Sequence, residues 1–366
     1  MYDRDLHKHI TNWLKEDEIL IIFGARQVGK TTLLNQLLAE NKEALILNCE
    51  RPAVNEILES KDPERIKALF GNHHIIALDE AQTILNIGKI LKLIYDDHSM
   101  NFKLIATGSS SFDLANKITE PLTGRNIKFR LFPLTLNELN KGNGWLWIQE
   151  NLENLMIFGS YPGIVNLSAD KKKTKLEEIS SDYLFKDILM HERIKSPKLL
   201  QTLLKSLALQ IGKPVSIKEL SDHLEIAFQT VERYLDLLEK TFVIFSLMPF
   251  SRNIRNEMKK NKKYYFYDCG IRNALLHNFS ALDSRLDTGS LWENFIIAEK
   301  IKFDKTMGRN AQFYFWRTYD RAEIDLVEDL NGKINAFECK WNPRKQAKIP
   351  AAFAEKYEVE SFKVIN

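Results

Sequence analysis

Short, mostly apolar runs alternate with stretches of helical periodicity along the first part of the chain. Ile19 to Phe23, Ala44 to Cys49, Ile75 to Glu80 and Phe102 to Thr107 are too short for buried helices and read as strands. The segment after Gly29 is helical, and so is Val54 to Phe70, where Pro63 behind Asp62 marks a fresh helix start. A further strand, Lys128 to Phe132, follows Leu122-Thr123-Gly124-Arg125. Strands and helices in alternation predict a mostly parallel sheet with helices on both faces. In such a sheet a ligand sits at the carboxyl ends of the strands.

The pattern then changes. Trp145 to about Ile211 is helical with polar breaks. Ser216 and Glu219 form a capping box for a helix over Ile217 to Leu224. A second helix runs from Gln229 to Lys240, with Val231, Tyr234, Leu235 and Leu238 on one face. Phe242 to Met248 and Tyr264 to Tyr267 read as strands, so helix-turn-helix plus a two-stranded wing predicts a winged helix. Farther on, Trp292 to Glu299 is an amphipathic helix. Strands at Gln312 to Trp316, Ala322 to Val327 and Lys333 to Lys340 follow, with Asn331-Gly332 as a hairpin turn. The expected class is α/β, with parts at residues 1–144, 145–210, 211–263 and 264–366.

The densest chemistry lies between the first strand and its helix. Gly24-Ala25-Arg26-Gln27-Val28-Gly29-Lys30-Thr31 has the G-x-x-x-x-G-K-[ST] spacing of a phosphate-binding loop. Backbone N–H groups and the helix N-terminus there favour an anion. Lys30 reaches the β/γ-phosphates, Thr31 offers a hydroxyl to Mg²⁺, and Thr32 continues the cradle. Asp79-Glu80 ends an apolar strand, as a metal-holding acid followed by a water-orienting one requires. Ser109, past the fourth strand, is either a group that touches the γ-phosphate or a helix cap. Arg125 is either an arginine finger or a solvated or DNA-facing arginine. The expected ligands are ATP and Mg²⁺.

Two further clusters carry charge. Arg252, Arg255, Lys259, Lys260, Lys262 and Lys263 face only Glu257 in the connection between the wing strands, which suits phosphate neutralisation on DNA. The exposed face of the second helix is balanced to acidic, unlike a base-reading helix. In the C-terminal part, Glu338 and Lys340 share a strand face, Asp325 lies across the hairpin, and Glu293 completes the set from the helix. Such a set either holds Mg²⁺ for hydrolysis, with Asp325 and Glu338 as ligands and Lys340 as catalytic cation, or is a surface ion pair.

Composition narrows the setting. At 366 residues, more than one domain is expected. The formal net charge of +3 does not by itself announce nucleic acid, so any basic surface is local. Cys49, Cys269 and Cys339 have neither paired nor metal-ligand spacing, which fits a reducing compartment. No apolar run approaches the ~20 residues of a membrane helix. A cytoplasmic protein without a membrane partner is expected.

The P-loop, Leu78-Asp79-Glu80, Thr107-Gly108-Ser109-Ser110 and Thr123-Gly124-Arg125 together resemble a family of bacterial and archaeal AAA-type ATPases. Gly159-Ser160-Tyr161-Pro162-Gly163 and Tyr183-Leu184-Phe185-Lys186-Asp187-Ile188 are similar to later signatures of that family. The resemblance implies adenine rather than guanine, a winged helix, and a restriction-endonuclease-like C-terminal domain formerly of unknown function. The leading expectation is an ATPase coupled to a DNA-binding C-terminal module, with DNA cleavage by it left open. The alternative is an ATP-dependent switch acting on a protein partner, with an inactive nuclease-like domain. Homo-oligomerisation is left open.

Overall fold

A computed structural model describes residues 2–97, 100, 102–109, 122–183, 197–251, 261–318 and 320–366. The first sheet contains β1 (Ile19–Phe23), β2 (Ala44–Asn48), β3 (Ile75–Asp79), β4 (Lys103–Gly108) and β5 (Asn126–Arg130). All its pairings are parallel, in the order β2-β3-β4-β1-β5. Every residue of β1 is buried, as expected for a central strand covered on both faces. Strand β5 starts two residues before the position read from the sequence, because Asn126 already pairs with Ile19.

The second sheet has seven strands. They are β6 (Pro214–Val215), β7 (Ile244–Pro249), β8 (Lys262–Phe266), β9 (Gln312–Arg317), β10 (Glu323–Leu330), β11 (Lys333–Cys339) and β12 (Val359–Ile365). Their order is β12-β11-β10-β9-β7-β8-β6. The β7–β8 hairpin is therefore not a free wing. Its open edge pairs in parallel with β9 at Met248↔Tyr314 and Pro249↔Phe315, which removes an exposed strand edge. The expected boundary between residues 263 and 264 falls inside β8.

Burial tells the same story. Phe245, Tyr265, Phe315 and Leu326 share one apolar cluster with Ile21 and Phe132 of the first part of the chain. The rings of Phe132 and Tyr267 lie 5.1 Å apart across that junction. The β10–β11 hairpin turns at Asn331 (φ 55°) and Gly332 (φ 85°), both left-handed, as the Asn-Gly pair predicts. Strand β12, beside β11, is a strand the sequence reading lacked.

The helix Thr288–Thr306 straps the two sheets together, and it is longer than the expected Trp292 to Glu299. Near one end, the Asn294 amide accepts from Phe266 N and donates to Phe266 O. Farther along, Glu299 accepts from Leu136 N at 2.8 Å, and Lys302 Nζ donates to Leu134 O at 3.1 Å.

Gly159-Ser160-Tyr161-Pro162-Gly163 acquires a physical role at this junction. A Cβ on Gly159 (φ 71°) would lie 2.0 Å from Asp268 Oδ1, so only glycine fits. Ser160 N donates to Asp268 Oδ2 at 2.7 Å, and Leu134 N donates to Ser160 O at 2.9 Å. Of the second signature, residues 184–188 lie outside the described residues, as do Ser110 and the basic stretch 252–260.

Candidate nucleotide site and a second charged cluster

The chain leaves β1 at Gly24, where an added Cβ would meet Leu131 O at 2.3 Å. Backbone and backbone touch there, and no side chain is tolerated. Gln27 (φ 62°) and Gly29 (φ 96°) take left-handed conformations that curl the loop through Ala25, Arg26 and Val28 into the helix Lys30–Leu38. The Lys30 ammonium is buried and donates to Gly24 O at 3.0 Å and Ala25 O at 3.1 Å. Thr31 and Thr32 are exposed at the helix start.

The acids at the end of β3 meet this loop. Thr31 Oγ1 donates to Asp79 Oδ2 at 2.7 Å, while Thr107 Oγ1 donates to Asp79 Oδ1. Glu80 N donates to Thr107 Oγ1 at 3.2 Å, so one hydroxyl bridges both acidic residues. Glu80 is left-handed (φ 53°), and its carboxylate accepts from Gln82 Nε2. Ser109 is buried just past β4. Hydroxyl and carboxylate oxygens are the hard donors Mg²⁺ takes, so Thr31 and Asp79 fit that ion.

Sequence reasoning missed Arg4. Its guanidinium donates to Val28 O at 2.7 Å, Phe132 O at 2.6 Å and Glu138 Oε1 at 2.9 Å. It therefore fastens the loop to the segment after β5 from a position well before β1. No local motif announces it. Gln82 was also not singled out, and Thr107 only as part of the Thr107-Gly108-Ser109-Ser110 motif, although its hydroxyl at the strand end was a usable signal.

Arg125 sits at the far end of the sheet from the phosphate loop. Its carbonyl accepts from Ile19 N at 2.9 Å, at the start of β1, whereas the loop follows the end of that strand. Strands of this length put the two ends roughly 13 Å apart. Its side chain instead forms a fork on Asp96, at 2.7 and 3.3 Å. It does not face the phosphate loop of its own chain.

The second cluster gathers Glu293, Glu323, Asp325, Glu338, Lys340 and Lys263. Asp325 Oδ2 accepts from Cys339 N at 2.8 Å, and Lys340 Nζ donates to Glu338. The hairpin thus brings Asp325, Glu338 and Lys340 together. Glu293 Oε1 accepts from Tyr265 OH at 2.7 Å and from Lys263 Nζ at 3.1 Å. Burial pushes the Glu293 carboxyl up to about 7, against the pull of Lys263. Burial likewise raises Asp325 and Glu338, partly offset for Asp325 by the Cys339 N–H.

Lys263 overturns its place in the basic wing. Its side chain is 0% exposed and pairs with both Glu293 and Glu323. Burial alone would depress its ammonium, but the two carboxylates outweigh burial and hold it above the ordinary lysine value. Asp325 and Glu338 lie side by side here among these lysines. Lys340 pairs with Glu338, while Asp325 is held by the Cys339 N–H and feels Lys263 only at a distance. Among the described residues, no three His, Cys, Asp or Glu side chains converge to hold a metal ion.

With this geometry in place, the first domain is defined by comparison. Residues 16–140 match the AAA domain family. Residues 149–282 and 288–365 match two families, each described as a domain of unknown function (DUF8612 and DUF4143). An uncharacterized protein of Mycobacterium tuberculosis is 28% identical over 92% of this chain and 73% of its own length. One of Haemophilus influenzae is 23% identical over 95% of this chain and 93% of its own. Among solved structures, the Walker-type ATPase of Pyrococcus abyssi superposes with a TM-score of 0.52 at 19% identity, covering 75% of this chain and 96% of that one. The chain carries an AAA-type ATPase domain with a parallel-sheet core of the P-loop ATPase kind. Among the described residues no helix is long and apolar enough to cross a membrane.

Proposed function

We propose that this protein hydrolyses ATP and uses the cycle to move a DNA-contacting middle module. The observation that carries the first half is the hydrogen-bonded path from Thr31 through Asp79 to Thr107 and the Glu80 backbone, beside the buried Lys30. Lys30 exchanges the carbonyls of Gly24 and Ala25 for the β/γ-phosphates and stabilises charge as the terminal phosphoryl group departs. Glu80 orients the attacking water and accepts its proton. Thr31 and Asp79 would hold Mg²⁺, which would offset the charge of the phosphates. Ser109 lies close enough in sequence to Thr107 to report on the same phosphate end.

The route from this site to the rest of the molecule is short. Pro162 Cγ lies 4.0 Å from the position a Cβ would take on Gly29. Ser160 Oγ accepts from Lys302 Nζ at 3.3 Å, on the same helix that carries Glu293. A change at the loop is thereby felt on the strap helix. Helices Pro197–Leu209, Ile217–Leu224 and Phe228–Lys240, with β6, β7 and β8, follow winged-helix order. Arg252, Arg255, Lys259 and Lys260 would supply its phosphate contacts. The second helix would contribute little, since Asp236 and Lys240 neutralise each other on its exposed face at 2.8 Å.

The engaged carboxylates around Lys263 favour a nuclease-like domain that does not cut. The test is ATP hydrolysis together with DNA binding as a function of salt. Hydrolysis lost in Glu80→Gln, and binding that falls steeply with salt, would support the proposal. Replacing Arg252, Arg255, Lys259 and Lys260 by alanine should flatten that salt slope. Salt-independent or absent DNA binding with hydrolysis intact would turn the reading to a switch on a protein partner.

A further inference from the structure

We infer that the Lys263 ammonium is the resident cation of the C-terminal acid cluster, filling by covalent attachment the place a divalent ion would take among these carboxylates. The inference rests on the second sheet alone and stands or falls independently of the ATPase and DNA readings.

The argument begins with supply. Lys263 lies on β8, a strand of the middle module, whereas Glu323 and Asp325 lie on β10 and Glu293 on the strap helix. Its Nζ reaches Glu293 Oε1 at 3.1 Å, pairs with Glu323, and stands 5.3 Å from the centre of the Phe315 ring. An ammonium without solvent contact persists only where fixed negative charge replaces its hydration. Here at least two carboxylates do so directly, and Asp325 adds a third, more distant charge.

Next comes access. The middle module also closes the cluster from outside. Tyr265 OH caps Glu293 Oε1, and the turn at Gly212 (φ 73°) presses on the same carboxylate. A Cβ at Gly212 would stand 2.8 Å from Glu293 Oε2, and the left-handed φ there favours glycine. Of the other acids, Glu338 pairs with Lys340 and Glu323 also with Arg317 at 3.5 Å, while Asp325 accepts from the Cys339 N–H. A divalent ion entering here would have to displace Lys263 into an apolar surround of Phe315 and Tyr265. The acids that read as a metal centre in the sequence thus act as a charged joint between two modules.

The experiment measures Mn²⁺ uptake by the full chain without nucleotide, using the electron paramagnetic resonance signal of the free ion. Asp79→Ala serves as background, so that the phosphate-loop end contributes nothing. The expected result is no uptake that depends on Asp325, so adding Asp325→Asn changes nothing. Lys263→Ala should gain Mn²⁺ uptake at least tenfold tighter, and Asp325→Asn should abolish the gain. Lys263→Met, which keeps the apolar stem, serves the same purpose if the alanine variant does not fold. Asp325-dependent uptake by the chain that retains Lys263 would overturn the inference, whatever the lysine variants do. So would a folded Lys263 variant that gains no Mn²⁺ uptake.

Discussion

Two places in this chain combine lysine with strand-end acids, and they differ in what holds the acids. Lys30 rests on two backbone carbonyls, at 3.0 and 3.1 Å, while Asp79 is held by the hydroxyls of Thr31 and Thr107. Neutral partners are exchanged at modest cost when a charged ligand arrives. Lys263 instead sits between Glu293 and Glu323 with no solvent contact. Breaking a buried charge pair leaves an uncompensated ion, which costs several kcal/mol. Residue types alone do not separate a poised site from a closed one. What separates them is whether the acids are held by exchangeable hydroxyls or by a buried cation.

The strongest way to break this comparison is at the poised end. Lys30→Ala should lower the ATP hydrolysis rate by about 10²–10³-fold, the usual loss when one preorganised donor is removed. Glu80→Gln should lower it by at least ~10²-fold while ATP still binds. Lys340→Ala, at the other cluster, should leave hydrolysis unchanged. Steady-state phosphate release on the three purified variants decides this. A loss of hydrolysis in Lys340→Ala would mean that the two clusters share one reaction.

The next effect is on stability, and it belongs to the closed end. Lys263→Ala should destabilise the chain by roughly 3–5 kcal/mol, because Glu293 and Glu323 lose their counter-ion inside the protein. Urea unfolding compares it with the parent. Lys262→Ala, the half-buried neighbour, should stay within about 0.5 kcal/mol. Equal effects at the two positions would return Lys263 to the class of solvated lysines.

Arg4 sharpens the comparison at the nucleotide end. Arg4→Lys keeps the charge but cannot reproduce the fork to Val28 O, Phe132 O and Glu138. It should cost about 1–3 kcal/mol of stability, the penalty of leaving buried acceptors without donors. The loosened loop should raise KM for ATP more than it lowers kcat. Thermal unfolding and the separation of kcat from KM check the two halves.

These contrasts also show where the sequence was readable. The phosphate loop and Asp79-Glu80 were legible because their chemistry is local: one strand, one turn and one helix start carry it. The Asn331-Gly332 turn and the pairing of Asp325 with Glu338-Cys339-Lys340 were legible for the same reason. Lys263 was not. It stands next to Lys262 and close to Lys259 and Lys260, so its neighbours in sequence describe a solvated run, while its partners lie on β10 and the strap helix. Arg4 was hidden by distance in the same way, its partners being Val28, Phe132 and Glu138. Strand β12 was missed because Val359-Glu360-Ser361-Phe362-Lys363 becomes a strand through its pairing with β11. Its own apolar pattern is weak.

The smallest effect is expected at Arg125, which tests whether position in the sheet outranks motif. Its fork to Asp96 joins side chains that are 33% and 40% exposed, a geometry worth about 0–1 kcal/mol in water. Arg125→Ala should therefore lower stability by no more than that and leave hydrolysis by the isolated chain within about twofold. The reason is topological: Arg125 abuts the first residue of β1, and the phosphate loop begins after the last. An arginine acting on the terminal phosphate in the same chain would instead lose 10³-fold or more on truncation. Phosphate release by Arg125→Ala, at a concentration where the chain is monomeric, separates the two by orders of magnitude.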